Sequence, residues 1–285
     1  MKSTWRISHI VHRLRARCRA LDNFLAICGA STADSATNCT ICGRSVTRSI
    51  TFGCAEYVNG LSVSLPEVQT HRKYLCSYCG HFFTPWLDID LEQISTKYQD
   101  IYDSNQLFQE NERASYQLDL IRYALKHLDG KENVAILDFG CGPNRSPTMT
   151  MREAGYDVRC CDILDRYVYD GDIFFRYDMA DTRWFGSFDA IVSIDVIEHL
   201  GNTVSAWRSL SRLLKADGIM AHCFPTRLHY SLNNNYCATP FHTCIFSRKS
   251  LRMLAAKTGF KLEAIEPFQA DVPFVFRFRK IRESE

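Results

Sequence analysis

The stretch Val134–Gly142, reading Val-Ala-Ile-Leu-Asp-Phe-Gly-Cys-Gly, constrains the fold more than any other. An apolar run with no polar break reads as a strand buried on both faces of a parallel sheet. It ends in Asp138, and Gly140 and Gly142 follow at alternate positions around Cys141. Glycine there lets the backbone turn sharply and lets a ligand approach where a Cβ would collide. Ser146 then offers an N-cap and Pro147 a first helical residue. Strand, glycine loop and helix make the first half of a nucleotide-type site in a doubly wound α/β sheet.

The chain beyond this point alternates strand and helix patterns. Strands are expected at 134–139, 157–162, 173–178, 188–194, 218–224, 260–266 and 272–278, and helices near 147–154, 203–214 and 247–257. That order predicts a Rossmann-like, doubly wound, mostly parallel seven-stranded sheet with helices on both faces. The connection Pro267–Asp271 is too short for a helical crossover, so the last two strands should form an antiparallel edge hairpin. The second strand ends in Asp162, where a carboxylate can accept hydrogen bonds from ribose hydroxyls, and the third in Asp178. The fourth, from Phe188, runs into the polar corner Asp195-Val-Ile-Glu-His199.

With residues 136–142, Asp162 and 188–200 in view, the chain resembles the class I S-adenosylmethionine-dependent methyltransferases over roughly residues 95–280. One departure is local. Asn144, after Pro143, stands where that pattern has its third glycine, and asparagine tolerates left-handed backbone angles. A dinucleotide cofactor would want glycine at Arg145, which disfavours hydride transfer. The resemblance implies that Gly140, Cys141 and Gly142 approach the methionine moiety, with Asp138 at the strand end. It implies Asp162 on the ribose, Ile163 against adenine, and Asp178 with the Met179 backbone at the adenine amino group. Asp195 would lie near the sulfonium or the substrate, and Tyr98 and Tyr102 in a helix that closes over the cofactor. For each acid the competing reading is a helix cap or solvated loop, and for the tyrosines a core role.

Methyl transfer asks an enzyme to align nucleophile, carbon and sulfur, and often to remove a proton. Histidine suits the proton because its pKa lies near neutrality. His199 follows the fourth strand. His242 lies in a long insertion, Pro225–Phe246, rich in Asn, Tyr, His and Thr, which reads as a polar substrate lid. Either could act as base, or could merely cap a helix or bond its own loop.

Ahead of this domain stand Cys39-Thr-Ile-Cys42-Gly43 and Cys76-Ser-Tyr-Cys79-Gly80. Two Cys-x-x-Cys pairs, each followed by glycine, are the knuckle arrangement of a closed tetrahedral zinc site. Residues 43–75 leave room for two or three strands, and His81 is a possible substitute ligand. A redox pair is the competing reading. With no open position the zinc would supply folding energy and no chemistry.

The expected organisation is a basic helix and linker at 1–36, a zinc-ribbon-like four-cysteine module at 37–85, a helical cap at 86–130 and the methyltransferase domain at 131–285. Six basic residues precede the first acid, Asp22, so residues 1–25 suit a membrane surface, an anionic partner or a presequence, or simply pack on protein. The net charge of +2 gives no overall footprint for nucleic acid. No apolar run approaches the roughly 20 residues that span a bilayer. Thirteen cysteines without a signal peptide point to cytoplasmic thiols plus a metal site. The expected reaction is methylation of a small polar metabolite: a sugar, nucleotide-sugar or natural-product intermediate. Sugar C-methyltransferases also carry a zinc knuckle ahead of this domain, with a further C-terminal domain. RNA base methylation and a non-catalytic binding protein are the other two readings.

Overall fold

A computed structural model describes residues 32–53, 56–58, 61–63, 70–85, 110–128, 130–142, 146–162, 173–174, 182–224, 226–228, 237, 242–268 and 274–281. The basic segment 1–30, Tyr98, Tyr102, Pro143–Arg145, Ile163, Asp178 and Met179 lie outside the described residues.

The first sheet begins with β1 (Thr32–Asn38), β2 (Ser45–Gly53), β5 (Thr70–Leu75) and β6 (Phe82–Phe83), and β3 (Glu56–Val58) and β4 (Leu61–Val63) form a separate small hairpin between β2 and β5 in the chain. The sequence predicts a linker over 29–38. Its described part is instead an edge strand, paired antiparallel to β2 through Thr37↔Val46 and Asn38↔Ser45. An edge tolerates such polar, β-branched sequence because one side of its ladder faces solvent.

The helix Glu110–Lys126 leads into the main domain. There β7 (Ala135–Phe139), β8 (Asp157–Asp162), β9 (Ile173–Phe174), β10 (Phe188–Ile194), β11 (Leu214–Cys223), β13 (Phe260–Pro267) and β14 (Phe274–Lys280) form one seven-stranded sheet. Its order is β13-β14-β11-β10-β7-β8-β9. β7, β8, β9, β10 and β11 pair in parallel, and β13 and β14 close the edge as the expected antiparallel hairpin. Every residue of β7 and β10 is buried, as a sheet covered on both faces requires. From Ala190 onward side chains alternate along β10: Ala190, Val192 and Ile194 face a core with Leu120, Ile121 and Ala124, while Ile191 faces one with Trp207, Leu210, Phe276 and Phe278. Phe188 joins that second core because the register shifts between Phe188 and Ala190.

Asp189, between those core positions, is a structural acid. It accepts the Ala135 N–H at 3.0 Å and Lys215 Nζ at 2.7 Å, tying the start of β7 to β10. Burial alone would raise its pKa, but the Lys215 and Ala135 hydrogen bonds bring it below the usual carboxylate range.

The insertion after β11 does not end as a free lid. Its last part forms β12 (Cys244–Ile245), which pairs antiparallel with β6 and so completes the first sheet as β1-β2-β5-β6-β12. Cys237 and the run 243–246 are buried, while residues 229–236 and 238–241 of the expected lid lie outside the described residues. The short apolar stretch Cys244-Ile-Phe found a sheet edge to cover it, and this satisfies its backbone as well. The two modules therefore share a core in which Cys39, Ile41 and Phe83 join Phe246, Leu251 and Leu254. Lys257 Nζ bonds the Ile41 carbonyl (3.2 Å), and Arg227 the Gly80 carbonyl (3.1 Å). Among the described residues no helix is long and apolar enough to cross a membrane.

Candidate active site

The sheet order reverses between β7 and β10, so connections leave in opposite directions and open a crevice at their carboxyl ends. The glycine loop sits there. Gly140 donates to the Cys161 carbonyl at 2.7 Å and adopts φ +74°, where a side chain is strained. A Cβ on it would lie 2.3 Å from Cγ2 of Val196. Gly142 donates its N–H to Asp162 Oδ2 at 2.9 Å, so the acid ending β8 braces the loop. Asp138 is buried and accepts from Thr148 Oγ1 at 3.3 Å, tying β7 to the helix Ser146–Glu153. Asp195, just past β10, holds φ +52°, a left-handed angle found at sites where backbone strain is maintained by its surroundings. Its N–H donates to the Cys223 carbonyl (2.9 Å).

The polar corner then makes a short 3-10 turn, Ile197–His199. Glu198 is fully buried, and His199 Nε2 lies 3.8 Å from its Oε1. His242, far along the chain, brings its ring to 4.8 Å from that of His199, centroid to centroid. β12 is what brings it there. Thr243 Oγ1 donates to the Glu198 carbonyl (3.1 Å), and Thr203 Oγ1 to the Leu200 carbonyl (2.8 Å). From the other module, Lys73 Nζ donates to the carbonyls of His242 (2.8 Å) and Cys237 (2.7 Å). Lys73 is wholly buried, and loss of water pushes its pKa down to about 7.

A family model described as a methyltransferase domain matches residues 108–265, more than half of the chain. The chain belongs to this methyltransferase family. Its methyl donor is S-adenosylmethionine. The residues present fit such a donor, because Asp162, which ends β8 at the reversal point of the sheet, presents a carboxylate beside the Gly140–Gly142 loop. Among solved structures, one chain of the Haloferax volcanii complex between the Trm112 methyltransferase activator and a methyltransferase superposes with a TM-score of 0.50. It is 10% identical and covers 65% of this chain and 97% of that one. The Burkholderia thailandensis 1,6-didemethyltoxoflavin-N1-methyltransferase, solved with 1,6-didemethyltoxoflavin and S-adenosylhomocysteine, gives 0.49 at 16% identity over 73% and 98% of the two chains. At these identities the likeness concerns fold alone. No curated protein matches in sequence.

In this methyltransferase the four cysteines of the first module converge. Cys39 and Cys79 sulfurs lie 3.6 Å apart, Cys42 and Cys76 3.5 Å, and all four fall within 4.8 Å of one another. Zinc–sulfur bonds of about 2.3 Å in a tetrahedron set sulfurs roughly 3.8 Å apart, so the donors suit that ion. The knuckles repeat one backbone design. The Cys39 and Cys76 N–H groups donate to the carbonyls of Arg44 and His81, and those of Gly43 and Gly80 donate back to the carbonyls of Cys39 and Cys76. Both glycines stand at φ +74°. His81 is a neighbour of this cluster, with Nδ1 3.8 Å from Cys39 Sγ and its ring stacked between Phe83 and Phe246. The hydrogen bond from Cys79 and then that from His81 draw the Cys39 thiol below its ordinary pKa.

Three residues that sequence reasoning passed over belong to the site. Glu198 was legible only as the neighbour of His199. Gln117 is buried on the helix Glu110–Lys126 and its Nε2 reaches the Cys141 carbonyl at 3.4 Å, leaving Oε1 without a hydrogen-bond partner among the described residues. A glutamine on an otherwise apolar helix face was its signal. Lys73 had no local signal, since its partners lie more than 160 positions away.

Proposed function

We propose that this enzyme transfers a methyl group to a small polar metabolite, such as a sugar, nucleotide-sugar or natural-product intermediate. The observation that supports the reading is that Asp162 braces the Gly140–Gly142 loop at the sheet's reversal point, with the His199–His242 pair following β10, the strand next to β7. S-adenosylmethionine supplies a methyl already activated by its sulfonium. The chain must then bind, align and exclude water. Asp162 accepts from the ribose hydroxyls while still holding Gly142, and Asp138 keeps the loop's parent strand on its helix. The family resemblance assigns the adenine end to Ile163, Asp178 and Met179 and a covering role to Tyr102, all four outside the described residues. Asp195 stands beside the reacting groups, and His199 and His242 face the point where the acceptor's proton leaves. Cys39, Cys42, Cys76 and Cys79 hold a structural zinc, and through β12 that module fixes His242.

Calorimetric titration with S-adenosylmethionine and S-adenosylhomocysteine tests this. Asp162→Ala should weaken binding by about 10–100-fold, as expected for losing charge-assisted hydrogen bonds. Asp162→Asn, which can still accept from Gly142, should bind more tightly than Asp162→Ala. No heat and no thermal stabilisation of the wild-type protein by either compound would refute the reading.

A further inference from the structure

Glu198, His199 and His242 do more than face a proton. One carboxylate oxygen and two imidazole nitrogens, one from each residue, lie within 4.8 Å of one another. We propose that these three side chains bind a divalent metal ion, which in turn binds the oxygen atom that is methylated. The inference rests on the methyltransferase reading of the same crevice and gives its acceptor a chemical class.

Ligand bonds of about 2.0–2.2 Å place donor atoms roughly 3–4 Å apart. The Glu198–His199 separation of 3.8 Å is already in that range, and the outer limit of 4.8 Å closes with a small side-chain movement. Glu198 is wholly buried, and a dication is a group that can hold a carboxylate out of water. The backbone that carries two of the ligands is held in place. Thr243 holds the Glu198 carbonyl, and Lys73 the His242 carbonyl. The cluster is not closed. Glu198 is 0% exposed and His199 17%, so the open side is the histidine side. Three protein ligands with an open side are the pattern of a reactive site, in contrast to the four-sulfur cluster in the first module. Two nitrogens and one oxygen suit an ion of intermediate softness, such as manganese, iron, cobalt or zinc.

Such an ion selects its substrate. It binds oxygen and lowers the pKa of a hydroxyl placed on it. The acceptor is therefore an alcohol or phenol oxygen, best one with a second oxygen close enough to chelate. In the transfer the hydroxyl proton leaves to water and an oxygen–carbon bond forms. The carbon–sulfur bond breaks with its electron pair returning to sulfur, which yields the methyl ether and S-adenosylhomocysteine. The histidines act as ligands in this step, not as free bases.

The probe is Mn²⁺, which the thiolate cluster disfavours, followed by electron paramagnetic resonance and calorimetry on the full chain purified with zinc. Wild type should bind one equivalent. Glu198→Gln, His199→Gln and His242→Ala should each weaken it by more than about tenfold while S-adenosylhomocysteine binding and the melting temperature survive in at least one of them. Absence of Mn²⁺ binding in a wild-type protein that binds S-adenosylhomocysteine would overturn the metal site and leave the methyltransferase reading standing. So would Mn²⁺ affinity unchanged by all three substitutions. Mn²⁺ binding lost in the variants, in a protein without affinity for S-adenosylhomocysteine, would support the metal site and refute the cofactor reading.

Discussion

Gly140→Ala is the substitution whose cost can be worked most directly from the structure. Two penalties add. A non-glycine residue at φ +74° costs about 1–2 kcal/mol. The new Cβ would meet Val196 Cγ2 at 2.3 Å and Cγ1 at 2.9 Å, well inside contact distance, and forcing such a contact apart costs about 1–3 kcal/mol. The sum is about 2–5 kcal/mol, or a fall in melting temperature of roughly 4–20 °C for a domain of this size. The companion variant separates the two terms. Val196→Ala removes both close atoms and leaves only Val196's own Cβ position, at 3.2 Å. In that background Gly140→Ala should cost only the dihedral strain, so the double-mutant cycle should show about 1–3 kcal/mol of favourable coupling. Urea unfolding with a constant slope measures all four proteins. Additive costs, or a neutral Gly140→Ala, would refute the claim that the glycine loop is packed against the turn that carries Glu198 and His199.

Two further predictions concern how the first module supports the second. Cys76→Ser should abolish or sharply reduce the thiolate-to-cobalt absorption of cobalt-loaded protein. It should also lower the melting temperature of the whole chain, because β12 belongs to the same sheet; an unchanged spectrum would rule out the four-cysteine site. Lys73→Met leaves two buried carbonyls without their donor and should cost about 2–4 kcal/mol. The pH dependence should change as well. The native Lys73 pKa is near 7, and that of an unfolded lysine is about 10.4, so between these values the unfolded state binds more protons. Wild-type stability should therefore rise from pH 7 toward pH 10, and this component should be missing from Lys73→Met. Parallel stability profiles for the two proteins would contradict it.

The sheet was legible because its signals are local. The unbroken apolar runs of β7 and β10 need both faces covered, and the short turn at 267–271 admits only a hairpin. The two Cys-x-x-Cys-Gly knuckles were equally plain, since two thiolates and a left-handed glycine within five residues leave few other uses. Glycines at 140 and 142 and an acid at 162 follow from strand ends, and so place one wall of the crevice.

The other wall could be decided only in three dimensions. Thr32–Asn38 looked like a linker, because polar residues at a sheet edge carry no hydrophobic period. The end of the insertion was not legible as a strand, because nothing in Cys244-Ile245 reveals that its partner is Phe82-Phe83 in another module. Strand pairing is a contact between distant segments, and two-residue strands have no period to read. That pairing sets His242 beside His199 and buries Lys73 beneath it. Sequence determined that there would be a crevice and which residues could line its cofactor side. Tertiary structure decided that Glu198, His199 and His242 meet there, because convergence of side chains from separate segments is a property of packing and not of spacing along the chain.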